Sequence, residues 1–193
     1  MKKKTFFNLV LILFVLSFFV TPLGRESKII LIRLFSGAPE IVETPKEKID
    51  FDWVLKEKDN TQFNFKKSEG RVTFVNFWSS WRLTSVAELK TVQQLYDDYK
   101  DQVDFYIITN EIPKPVDSLK EARGYTFKET YLIIGEKMPF NAEIIPSGYI
   151  IDKNGYVAAE SSKVTDWNTT KVRTLLDKLI SEKVEETNKV SGK

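Results

Sequence analysis

Two residues limit the chemistry open to this chain: Arg82 and Ser85, three positions apart in Trp78-Ser79-Ser80-Trp81-Arg82-Leu83-Thr84-Ser85-Val86-Ala87-Glu88. A guanidinium stays protonated and is not a nucleophile, so Arg82 can bind but cannot attack. Ser85 would need a base to become nucleophilic. The chain contains no His, which removes the Ser-His-Asp arrangement and the commonest metal ligand, and no Cys, which removes every thiolate and disulfide. The remaining carboxylates show no calcium-loop spacing, so neither a metal nor another cofactor is expected. What Arg82 can offer is a fork of donors for a carboxylate or other anion, beside the aromatic faces of Trp78 and Trp81. The plainer alternatives are a solvated Arg82, a Ser85 that merely fills space, and two tryptophans packed under the loop.

The elements around this stretch explain why it is worth reading. Residues 72–78 form an apolar, β-branched run long enough for a buried strand. Residues 79–81 turn, and the spacing of Val86, Leu89 and Val92 predicts a helix over 83–100 that also buries Leu95, Tyr96 and Tyr99. A strand that feeds a helix brings free N–H groups and the positive dipole end to the turn. Arg82 at that helix start opposes the dipole, at a cost of a few tenths to about 1 kcal/mol. Residues 103–109 predict the next buried strand, joined by a parallel crossover. Asn110-Glu111 ends it, where α/β folds expose ligand-facing groups, although a cap or surface role is the plainer reading.

Elsewhere, residues 51–55 and 62–65 read as short strands about a turn at Asp59-Asn60, with a loop over 66–70. Residues 115–123 read as a helix closed by Gly124. Residues 131–134 are apolar and undecided, and 135–142 read as loop. Asn154-Gly155 lies between two apolar runs and signals a hairpin with φ > 0 at both residues. A closing helix over 169–180 buries Val172, Leu175, Leu176 and Leu179; Asn168-Thr169-Thr170 before it reads as helix capping rather than glycosylation.

The first two dozen residues are of another kind. Lys2-Lys3-Lys4 precedes residues 6–20, where only Asn8 and Ser17 are polar. Extended to residues 5–23 the segment gives a helix of roughly 28 Å, about the thickness of a bilayer's hydrocarbon core. No small-x-small cleavage site follows directly, so an uncleaved signal anchor is favoured over a cleaved signal peptide. The flanking lysines place the N-terminus in the cytoplasm and the remainder outside. Residues 28–35 form a second apolar patch, too short to span, that either lies at the membrane surface or docks on the domain. The expected organisation is an anchor over 1–24, an amphipathic juxtamembrane segment and linker over 25–48, a domain over 49–181, and a flexible tail over 182–193.

With 193 residues, 42% of them hydrophobic, the chain can bury one ordinary core. From Pro39 onward acidic residues slightly outnumber basic ones, so nucleic acid is not an expected partner.

Val75, Asn76, Phe77, Trp78, Trp81 and Glu88 resemble, in register, the V-N-F-W-x-x-W-C-x-x-C-x-x-E segment of TlpA/ResA-type thioredoxin-like proteins, membrane-anchored thiol-disulfide oxidoreductases. The two cysteine positions are Arg82 and Ser85, so this chain resembles a degenerate member. In that family the first cysteine attacks and the second resolves; neither step is open here. The segment Ile145-Pro146-Ser147-Gly148-Tyr149-Ile150-Ile151-Asp152 resembles the family's cis-proline segment, with Ser147 and Tyr149 as mild departures. The resemblance covers about residues 51–180. It implies an α/β thioredoxin-like fold, a central mixed β-sheet flanked by helices, here with an N-terminal transmembrane helix. It also implies a peptide-binding groove, needing no thiol, formed by Trp78, Trp81, Arg82, Ile145 and Pro146. The expected function is therefore a redox-inactive, membrane-anchored module that binds an unidentified protein or peptide. The alternatives are a thioredoxin-fold enzyme with non-thiol chemistry at Arg82 and Ser85, and a structural domain in which the turn has no role.

Overall fold

A computed structural model describes residues 3–43 and 48–183. At its centre is strand β4 (Thr73–Phe77), whose five residues are all buried. It pairs in parallel with β5 (Asp104–Thr109) and antiparallel with β7 (Ser147–Ile151). On one side β5 continues in parallel to β6 (Glu129–Leu132), then antiparallel to β2 (Val54–Lys56) and β3 (Gln62–Asn64). On the other, β7 pairs with β8 (Val157–Ser161), which takes β1 (Glu40–Ile41) at its edge. The described residues thus form one mixed sheet of eight strands in the order β1-β8-β7-β4-β5-β6-β2-β3.

Strands buried on both faces send alternate residues to opposite cores. Phe74, Ile107 and Ile150 face one core, with Leu89, Val92, Leu95 and Tyr99 of helix α3 (Leu83–Tyr99) and Val172, Leu176 and Leu179 of α5 (Thr170–Ser181). Val75, Phe77, Tyr106, Ile108, Tyr149 and Ile151 face the other, which is closed by the aromatic residues Phe51, Trp53, Phe65 and Phe140. This two-sided burial accounts for the continuous apolar run over 72–78.

The expected elements are present, with local differences. The strand expected over 51–55 is confined to Val54–Lys56, because Phe51 and Trp53 turn their rings into the second core instead of joining a ladder. The loop expected over 66–70 begins as a 3₁₀ turn, Phe65–Ser68, capped by the Asn64 side chain. The undecided 131–134 run supplies the end of β6. Helix α4 (Pro113–Arg123) starts two residues early, with proline in its first turn and Gly124 closing it at φ +66°. In the β7–β8 hairpin only Gly155 takes positive φ. The Asp152 carboxylate accepts from the N–H groups of Asn154 and Tyr156 and so holds a longer loop than a two-residue turn. Thr169 caps α5, its hydroxyl accepting from the Val172 N–H. The tail expected over 182–193 lies almost wholly outside the described residues.

The N-terminal segment bears on the two readings of residues 28–35. Helix α1 (Lys3–Val20) is long and apolar enough to cross a membrane. Helix α2 (Pro22–Leu34) docks on the domain: Ile29 is fully buried against Val86 and Ala87 of α3, and Arg33 Nε donates to the Ala87 carbonyl at 2.9 Å. Helix α2 and the edge strand β1, which covers the open side of β8, are therefore packed on the domain. Folded structure begins well before residue 49.

Gly148 in β7 is pressed against the Trp167 indole, which a Cβ would meet at 2.5 Å. Gly148→Ala is expected to destabilise the fold by about 1–3 kcal/mol through overpacking, measured by chemical denaturation of the detergent-solubilised chain.

Candidate functional site

The antiparallel register Phe77↔Ser147 sets the end of β4 beside the start of β7, so the turn at 79–82 faces the Ile145–Pro146 peptide, which is cis. Trp78 does not share in this surface. It is 1% exposed, its ring meeting Phe127 edge-on, and belongs to the core beneath the turn. The expectation that Trp78 lines a binding groove is corrected accordingly, because the strand's alternation turns its side chain inward.

Four groups define what remains. Trp81 is 65% exposed. The Arg82 guanidinium stacks on the Trp81 ring, 4.7 Å from its centroid, and Arg82 Nη1 donates to the Ile145 carbonyl at 3.3 Å. Arg82 stands at the N-cap position of α3 without making a side-chain cap. Its unfavourable place at the dipole's positive end is offset by the ring and the carbonyl. Ser85 is fully buried, and its hydroxyl accepts from the Ser79 N–H at 3.3 Å. Among the described residues no base stands against it, so it fills and braces the turn. Pro146 is buried, Ile145 half-buried and neighbouring Ile144 exposed.

The sequence placed Glu111 at a strand end, as a ligand-facing, cap or surface residue, and missed its hold on the turn. Its carboxylate accepts from both the N–H and the hydroxyl of Ser80, at 2.5 and 2.6 Å. The turn's own N–H group is thus taken up by an internal anion, which removes Ser80 N–H from any external anion site shared with Arg82. The available signal was Glu111's place at the end of the strand next to β4, where a side chain reaches the neighbouring turn. Arg25 of α2 was also missed: its Nη2 donates to the Ser80 carbonyl at 3.4 Å, so the N-terminal helix pair touches the site.

Behind the turn lies Glu88. One of its oxygens accepts from Asn76 Nδ2 at 2.7 Å and Trp167 Nε1 at 2.8 Å; the other accepts from the Thr165 N–H at 3.0 Å. Burial pushes this carboxyl up to about 7, against the pull of its three donors. Asn76 Oδ1 is buried and has no partner among the described residues. Rotating the amide would turn it into an acceptor for the proton of neutral Glu88.

A carboxyl held above its unfolded value binds a proton more tightly in the native state, so its contribution to stability is lost as pH rises from about 4.5 to about 7. Glu88→Gln should remove this dependence. Relative to the parent, the variant gains up to about 3 kcal/mol between pH 5 and 8, read from denaturation midpoints across that range.

Comparison with known proteins bears on this geometry. No family model matches the chain. The thiol-disulfide oxidoreductase ResA of Geobacillus kaustophilus is 29% identical over 112 residues, 55% of this chain and 63% of that protein. The ResA of Geobacillus thermodenitrificans is 29% identical over 111 residues, with the same coverage. The chain therefore matches somewhat less than two thirds of the length of these relatives. Among solved structures, a DsbF homologue from Corynebacterium diphtheriae superposes with a TM-score of 0.58 at 14% identity, covering 74% of this chain and 95% of that one. A thioredoxin family thiol:disulfide interchange protein from Chlorobium tepidum does so with a TM-score of 0.55 at 17% identity, covering 71% and 99%. These structures share the fold with the chain. The chain thus has a thioredoxin-like fold and is similar over 112 residues to a ResA thiol-disulfide oxidoreductase, while carrying no cysteine anywhere in its sequence.

Proposed function

We propose that this chain is a membrane-anchored, extracytoplasmic partner-binding module that performs no thiol chemistry. The membrane-spanning capacity of α1 and the lysines at its N-terminal end support an anchor with the domain outside. The absence of any cysteine supports redox inactivity. The binding surface consists of Trp81, Arg82, Ile145 and Pro146, with exposed Ile144 at its rim.

One observation carries this reading: Arg82 bridges the two halves of the site, stacked on Trp81 and bonded to the carbonyl just before the cis-proline. An extended peptide that pairs with this backbone must first displace Arg82 from the Ile145 carbonyl. A partner carboxylate repays that displacement, since a charge-assisted bidentate contact to guanidinium is stronger than a single bond to a neutral carbonyl. The site therefore favours an acidic segment or a chain terminus. A serine enzyme is not favoured, because Ser85 is sealed under the turn.

Photocrosslinking from a reactive side chain at position 144, in native membranes and read by mass spectrometry, should yield a discrete partner. Trp81→Ala with Arg82→Ala should abolish the adduct; an undiminished adduct would sink the reading. The pure chain should not reduce insulin, whereas Arg82→Cys with Ser85→Cys should form an internal disulfide and gain measurable turnover. Turnover by the unaltered chain would refute redox inactivity.

A further inference from the structure

Helix α2 distributes its side chains in the reverse of the usual order for a helix on a soluble domain. Its four charged residues are all engaged within the protein. Arg25 reaches the Ser80 carbonyl, Glu26 pairs with Arg123 of α4, and Arg33 reaches the Ala87 carbonyl. The Lys28 ammonium sits over the rings of Phe18 and Phe19 of α1, 5.3 and 4.6 Å from their centroids. The opposite stripe, Leu23, Ile30, Leu31, Leu34 and the following Phe35, is apolar and exposed, up to 86% at Phe35. A water-facing helix ordinarily turns its charges outward.

The joint between the two helices is tight. Thr21 caps α2 and Pro22 opens it, and Gly24 lies so close to the Phe18 carbonyl that a Cβ would come within 1.9 Å of that oxygen. The obstacle is backbone, so the elbow cannot relax by moving a side chain. Helix α2 therefore starts where α1 ends, at the level where a spanning α1 leaves the hydrocarbon. Lys163 stands beside Leu31 and Phe35, a cation at the edge of the apolar stripe.

From this we infer that α2 is an interfacial helix that seats the domain on the bilayer, its outer stripe in the headgroup–acyl boundary and its inner face clamped to α3. The occupant of the exposed face is phospholipid, and Lys163 meets the phosphate layer. The inference rests on the membrane anchoring proposed above. It also sets the height of the binding site: Arg25, five residues past the end of α1, touches Ser80, so a partner reaches Trp81 and Arg82 close to the bilayer surface.

The absence of native cysteine permits a direct test. Single substitutions Leu13→Cys, Leu31→Cys, Leu34→Cys, Phe35→Cys and Asp101→Cys, each carrying a nitroxide, are introduced into the full chain in phosphatidylcholine/phosphatidylglycerol vesicles. Collision with oxygen is then compared with collision with a water-soluble nickel chelate. The labels at 31, 34 and 35 should favour oxygen several-fold over the label at 101, at a depth shallower than that at 13. If those three labels match 101 while 13 lies deep, the seat is wrong and the anchor stands. If 13 is also open to the chelate, the anchor itself fails. Spin–spin broadening at 31, 34 and 35 that vanishes on dilution with unlabelled chain would mean that a second copy covers the stripe, which also overturns the inference.

Discussion

The buried carboxyl of Glu88 ties together the parts that make the site possible. It belongs to α3, yet it accepts from Asn76 on the central strand, from the Trp167 ring and from the Thr165 backbone ahead of α5. A charged or ionisable group so deeply buried is tolerated only when its hydrogen bonds are met, and here three donors from separate segments converge on it. The first turns of α3 are thereby fixed against β4. The turn between them, with Trp81 and Arg82, starts from that junction and is braced by its own contacts to Ser85, Glu111 and Ile145.

Around this junction the polar groups of the turn are satisfied within the protein. Ser85 takes the Ser79 N–H, Glu111 takes both donors of Ser80, and Arg82 takes the Ile145 carbonyl. Arg82 differs from the other two because its contact is exposed and single, so it exchanges readily for a better acceptor. The turn is braced from below by buried partners and open at Trp81 and the Arg82 guanidinium.

The N-terminal helices extend the same arrangement outward. Arg25 and Arg33 donate to carbonyls at Ser80 and Ala87, flanking the first turn of α3, and Glu26 clasps Arg123. The elbow at Thr21-Pro22 and the charges of α2 thus link the site to the end of α1.

Much of the fold was legible in the sequence because its causes are local. The apolar run over 72–78, the three-residue spacing in α3, the glycine closing α4 and the threonine capping α5 each follow from neighbours a few positions away. The two missing cysteines were equally plain, since chemistry without a thiol is decided by residue type alone. What only the tertiary structure decided are contacts between residues far apart in the chain. Trp78 went to the core and Trp81 to the surface, although both flank the same turn, because strand alternation acts on the first and not on the second. Glu111 became the turn's anchor through strand pairing across β4 and β5, and Arg82 met Ile145 through the pairing of β4 with β7. The sequence left open whether residues 28–35 lie at the membrane surface or dock on the domain; docking of the inner face follows from the burial of Ile29 against α3, because only the assembled surface offers a place to bury that side chain.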